Sequence, residues 1–178
     1  MNIHVHSSSL RIVLTVLTAI TALHIGLIAV GNVTDFNTNH AFVEHVFAMD
    51  TTYGSPGMMW RAINNSRIIT VAYLCIITWE LITFIILAGS FFCWLMAMTM
   101  RRGLVTAWQL AVRGWLLEVI LFGGGFITIG GEWFQMWQSP KWNGLQPALQ
   151  NFLIASTGLI LAHLLRPDSL RDARFDGT

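Results

Sequence analysis

Residues 68–100 read IITVAYLCIITWELITFIILAGSFFCWLMAMTM, an apolar run in which Glu80 is the only formal charge. About 20 apolar residues are enough for a helix to cross the hydrocarbon core of a bilayer. This run is therefore a membrane span, long enough to tilt or to project beyond the bilayer. Working outward, three more segments have the same character: about 11–31 (RIVLTVLTAITALHIGLIAVG), about 103–131, which Arg113 and Glu118 interrupt, and about 148–165. The expected architecture is all-α, a four-transmembrane-helix up-down bundle in a single integral membrane domain covering residues 1–178.

Composition agrees. Of the 178 residues, 54% are hydrophobic and 11% charged, against roughly 25% charged in an average soluble domain. That balance excludes a water-soluble enzyme and an intrinsically disordered chain. The net charge of +1 and the lack of any long Lys/Arg run leave nucleic-acid binding without an electrostatic basis. Cys75 and Cys93 fall in one apolar run; on a single helix they stand about 27 Å apart, too far for a disulfide. The first segment reads as a retained helix and not a cleaved signal peptide, because MNIHVHSSSLR holds one Arg and no clean A-x-A site follows.

Basic residues give the orientation. Arg11, Arg101, Arg102, Arg166, Arg171 and Arg174 flank the spans on one side, and Arg61, Arg67 and Lys141 lie on the other. Both termini are thus expected in the cytoplasm, with outer loops at about 32–67 and 132–147. Trp94, Trp108 and Trp115 fall toward the inner boundary and Trp60, Trp133, Trp137 and Trp142 toward the outer one, as in an aromatic belt.

The long first outer loop contains a short amphipathic helix: Phe42, Val43, Val46 and Phe47 recur at helical spacing, with Asn39 as a candidate cap. It lies on the membrane surface or packs over the bundle. Tyr53-Gly54-Ser55-Pro56-Gly57 then breaks it. The second loop, GEWFQMWQSPKWNG at 131–144, is rich in Trp. One reading is interfacial anchoring. The other is a cap in which Trp60, Trp133, Phe134, Met136, Trp137 and Trp142 face a partner, since aromatics and Met are enriched at protein interfaces.

These loops carry a family resemblance. N-V-T-D-F at 32–36, F-V-x-H-V-x-x-M-D-T at 42–51, W-R-A-I at 60–63, W-E at 79–80 and the Trp-rich motif at 131–144 resemble a family of predicted small bacterial integral membrane proteins, domain of unknown function 2165. The resemblance covers roughly residues 10–165. It implies a four-helix protein of the bacterial inner membrane and supplies no activity or catalytic residue.

Ionisable groups inside spans are costly, on the order of 3 kcal/mol at a helix centre. Residue counting puts His24 and Glu80 both near mid-membrane, where an antiparallel first pair would let them share a hydrogen bond. That pair reads either as a register-fixing contact or as a proton- or ligand-binding site. Arg113, Glu118 and His163 read as inner-leaflet contacts, Arg113 snorkelling to headgroups and Glu118 meeting His163. His24 and His163 differ in depth by roughly 15 Å, so one haem iron cannot bridge them. His40, Glu44 and His45 make an unconvincing metal set, and no cofactor or metal is expected. Gly123, Gly124 and Gly125 offer close helix packing, within the bundle or against a partner.

No catalytic constellation stands out, so the chain is expected to be non-enzymatic. The leading expectation is a protein acting by association, an accessory or assembly subunit of a larger (possibly respiratory) membrane complex, with partner subunits held through the outer loops and third span. The alternative is a small transporter or proton-coupled permeation unit using His24 and Glu80.

Overall fold

The computed structural model describes residues 3–100 and 102–164, with side chains from residue 9 onward. Arg101, Arg166, Arg171, Arg174 and Leu165, the last residue of the expected fourth span, lie outside the described residues, as does the polar tail. Every regular element within them is helical. The order is α1 (Ile3–Thr34), α2 (Phe36–Ala48), a 3₁₀ turn (Met59–Arg61), α3 (Ser66–Thr99), α4 (Leu104–Val119), a π-helical segment (Ile120–Trp133), a second 3₁₀ turn (Met136–Gln138) and α5 (Leu145–Leu164). Four stretches are long and apolar enough to cross a membrane: Ser9–Thr34, Ser66–Thr99, Leu104–Trp133 and Leu145–Leu164. They match the expected spans to within a few residues.

α1 buries Leu14, Thr18, Thr21, Ala22, Ile25 and Ala29, the three- and four-residue spacing of one helical stripe. α3 buries Ile69, Tyr73, Ile77, Glu80, Thr83, Leu87, Ser90 and Trp94 along its length. The remaining faces carry exposed Leu, Ile, Val and Phe such as Leu23, Leu27, Ile85 and Phe92, which is how a small bundle meets lipid tails. The threonines of the stripe return their hydroxyls to their own helix, Thr18 to Leu14 O at 2.6 Å and Thr21 to Leu17 O at 2.8 Å. No polar group of theirs is left unsatisfied.

Contacts at both ends fix the antiparallel register of α1 and α3. Asn32 meets Glu80, and Thr15 Oγ1 reaches Met98 Sδ at 3.5 Å. Asn32 stands in the last turn of α1, whereas Glu80 lies about 21 Å along α3 from Ser66. The start of α3 therefore projects beyond the end of α1. α2 covers that projection: Val43, Ile69, Tyr73 and Ile77 form one buried cluster, with Phe36, Phe42 and Phe47 packed on it. The amphipathic helix of the first loop is packed over the bundle. It starts at Phe36 after Asp35, so Asn39 is not its cap; Asn39 lies inside the helix and its Nδ2 donates to Asp35 O at 3.2 Å.

Beyond Ile120 the third span leaves the expected α-helical register. Thr128 Oγ1 donates to Gly123 O and the Phe134 N–H to Ile129 O, both spanning five residues, the π spacing. The glycine run removes the side chains that would otherwise resist this wider winding. Within the run Gly123 still lies close against the Phe152 ring of α5, and α4 meets α5 closely at Gly158, which lies against the fully buried indole of Trp115.

Trp94 and Trp115 are fully buried. They fill the interhelical core and do not form the belt that their sequence positions suggested. Trp108, half-buried, donates from Nε1 to Ala162 O at 2.7 Å.

Candidate functional site: an aromatic cap over a polar cavity

The two loops fold together at one end of the bundle. Val46 and Met49 at the end of α2 bury against Phe134 and Met136 of the second loop, with Met58, Met59, Ile63, Trp142 and Leu145 around them. Phe47 stacks on Phe134, centroids 4.6 Å apart and planes at 15°. His45 stacks on Trp142 at 4.5 Å and 12°. Two polar bonds lock the loops together, Thr51 Oγ1 to Ser139 Oγ at 2.8 Å and Tyr53 N to Gln138 Oε1 at 2.9 Å, and Ile63 N to Phe47 O at 2.8 Å closes the first loop on itself.

This cap divides the six residues expected to face a partner. Trp60, Trp133 and Trp137 are exposed, and Trp142 is half-buried between His45, Phe42 and Lys141. Phe134 and Met136 are only 4% and 2% exposed. They are the core of the cap and unavailable to a partner, because they fill the space beneath α2. On the outside, Trp60 and Trp133 meet edge to face at 5.5 Å. Arg61 lies over both rings, its Cζ 4.6 Å from the Trp133 centroid, and its Nη1 donates to Trp133 O at 3.3 Å. Tyr53 packs edge-on against Trp137 at 5.9 Å.

Beneath α2, a cavity of about 320 Å³ reaches from Asn39, Asn143 and Pro147 at its mouth to Glu80 at its base. Asn32 Nδ2 donates to Glu80 Oε2 at 2.7 Å, and Tyr73 donates its hydroxyl to Asn32 O at 2.8 Å. Asn151, 5% exposed, lines the same space from α5. An apolar chamber of about 210 Å³ adjoins it, sharing Phe42, Val43, Ile76 and Phe126.

Glu80 does not pair with His24. His24 is exposed, one position off the buried stripe of α1 next to Ile25. With Asn32 opposite Glu80, His24 is also about 12 Å too deep along α1. Residue counting, from Arg11 and Asp35 for His24 and from Arg67 and Arg101 for Glu80, made both central without fixing the axial offset between α1 and α3. Glu80 lies level with the cap end of α1, and the partner missed in the sequence was Asn32. Its place continuing the stripe through Ile25 and Ala29 was the available signal.

Glu118 and His163 are likewise apart. His163 is exposed, its ring edge-on to Trp108 at 6.0 Å and its Nδ1 2.7 Å from Leu159 O. Trp108 pairs with the end of α5, which puts Glu118 about 15 Å further along α4. Glu118 is fully buried, and among the described residues neither carboxyl oxygen has a hydrogen-bond partner. Arg113 is exposed. Of the three glycines, Gly123 faces the Phe152 ring of α5, Gly124 meets nothing and Gly125 only Leu121 of its own helix. No cluster of three or more metal-ligating side chains occurs among the described residues.

The family model described as predicted small integral membrane protein (DUF2165) matches residues 10–165. The chain belongs to that family. The match covers all four spans but for Ser9, together with both cap loops. No curated protein and no solved structure matches it. The membership makes this a small integral membrane protein in contact with lipid.

Proposed function

We propose that this DUF2165 member is a non-enzymatic protein of the bacterial inner membrane that acts by association, as an accessory or assembly subunit of a larger membrane complex. The observation that carries this reading is the Trp60–Arg61–Trp133 cluster, held in place on the outside of a cap that is itself well packed. Trp and Arg dominate the energetic centres of protein interfaces, and a pre-ordered cluster loses little side-chain entropy on binding. A span-end tryptophan that only anchors in headgroups needs no such ordering. The flanking arginines support an orientation with both termini in the cytoplasm and the cap outside. The transport alternative asked for His24 beside Glu80, and the two do not meet.

The test is purification of the tagged full chain from its native membrane in mild detergent, with mass spectrometry of co-eluting subunits. A stoichiometric set of membrane subunits, lost in Trp60→Ala/Trp133→Ala while the variant still inserts and folds, is the expected result. A partner-free chain, or partners retained by the double variant, overturns the reading. Cysteine labelling from either side of the membrane at Ser55 and at Arg102 tests the orientation.

A further inference from the structure

The hydrogen bonds around the cavity beneath α2 are unevenly satisfied. Each donor group that lines it already serves one partner within the protein. Asn32 Nδ2 serves Glu80, the Tyr73 hydroxyl serves Asn32 O, and Asn151 Nδ2 serves Pro147 O at 2.9 Å. At the mouth, Asn39 Nδ2 serves Asp35 O and Asn143 Nδ2 serves Trp137 O. The acceptors are in surplus. Glu80, 1% exposed, accepts one hydrogen bond among the described residues, where a carboxylate has about four acceptor sites. Asn151 lines the cavity from α5, and its buried Oδ1 accepts none. Buried acceptors without a partner are costly and call for a donor.

Three phenylalanines, Phe42, Phe122 and Phe126, complete the wall, and the apolar chamber continues from it. An ammonium group has three donors and no acceptor and is attracted to aromatic faces. We propose that this cavity is a binding site for a small amphiphilic amine, its head between Glu80 and Asn151 and its apolar body in the chamber under Phe42 and Phe126. A carboxylate ligand would set acceptor against acceptor. An alcohol offers a single donor and no charge to complement Glu80. The site is independent of the partner surface, which lies on the other side of the cap core.

The experiment is equilibrium binding to the full chain in nanodiscs, with three probes of similar shape: 2-phenylethylamine, 2-phenylethanol and 3-phenylpropanoate. Saturable binding of the amine at one site per chain is expected, with the alcohol and the carboxylate at least about tenfold weaker, the discrimination that hydrogen bonds to a charged group supply. Glu80→Gln keeps the shape and the acceptor for Asn32, and should weaken the amine by a similar factor while helicity and elution stay unchanged. Ile76→Phe, which fills the shared wall, should block the amine without touching the polar end. Equal binding of amine and alcohol, preference for the carboxylate, amine binding unaffected by both variants, or no saturable binding each overturns the proposal.

Discussion

Asn32 Nδ2 donates to Glu80 Oε2 at 2.7 Å, joining the last turn of α1 to a point well inside α3. This bond marks the level at which α1 stops and α3 continues alone under the cover of α2. The cavity, the cap and the offset between the two helices all follow from that level.

The two ends of the bond are not equivalent. Asn32→Leu leaves a buried carboxyl without its donor and should cost about 1–3 kcal/mol. Glu80→Gln retains an acceptor for Asn32 and should cost less. Thermal unfolding of both variants in the same detergent measures the difference; an equal loss would mean that the bond contributes nothing specific.

Gly158 and Gly124 should respond in opposite ways to an added methyl. A Cβ on Gly158 collides with the buried Trp115 indole, whereas one on Gly124 meets nothing. Gly158→Ala is expected to lose about 1–3 kcal/mol through overpacking. Gly124→Ala should stay within about 0.5 kcal/mol of the parent. Unfolding midpoints of the two variants provide the comparison.

Glu118 is buried in the bundle with both oxygens unpartnered among the described residues. Replacing it with Met, of similar length and no polar atoms, removes a desolvation cost of about 1–3 kcal/mol. Glu118→Met should therefore unfold at a higher temperature. A lower midpoint would show that Glu118 has a partner in the folded protein.

Trp142 joins the two cap loops through His45 and Phe42. Trp142→Ala removes a stacked pair worth about 1 kcal/mol beyond its area, together with the contact that holds α2 against the second loop. Hydrogen exchange in residues 36–50 should accelerate, while exchange in the spans stays slow. Unchanged exchange in α2 would place the strength of the cap in the Phe47–Phe134 stack instead.

Much of this was legible in the residues. The four spans came from the lengths of apolar runs, and α2 from Phe42, Val43, Val46 and Phe47 at helical spacing. The coming together of the two loops was one of two readings that their shared aromatic content left open. The division of the cap into core and surface was not legible, because Phe134 and Trp133 are adjacent apolar residues and only packing separates them. The π-helical half of the third span was also hidden, since a glycine run suits close packing as readily as it suits a change of winding.

By itself the sequence determined that the chain crosses the membrane four times and carries an amphipathic helix between the first two spans. Those properties depend on run length and periodicity, which are local. Tertiary structure alone decided that Glu80 faces Asn32 and not His24, and that Glu118 and His163 stand apart. Those outcomes depend on axial offset and rotation between helices. Both are set by packing between residues distant in sequence: α2 against the projecting start of α3, and Gly158 against Trp115.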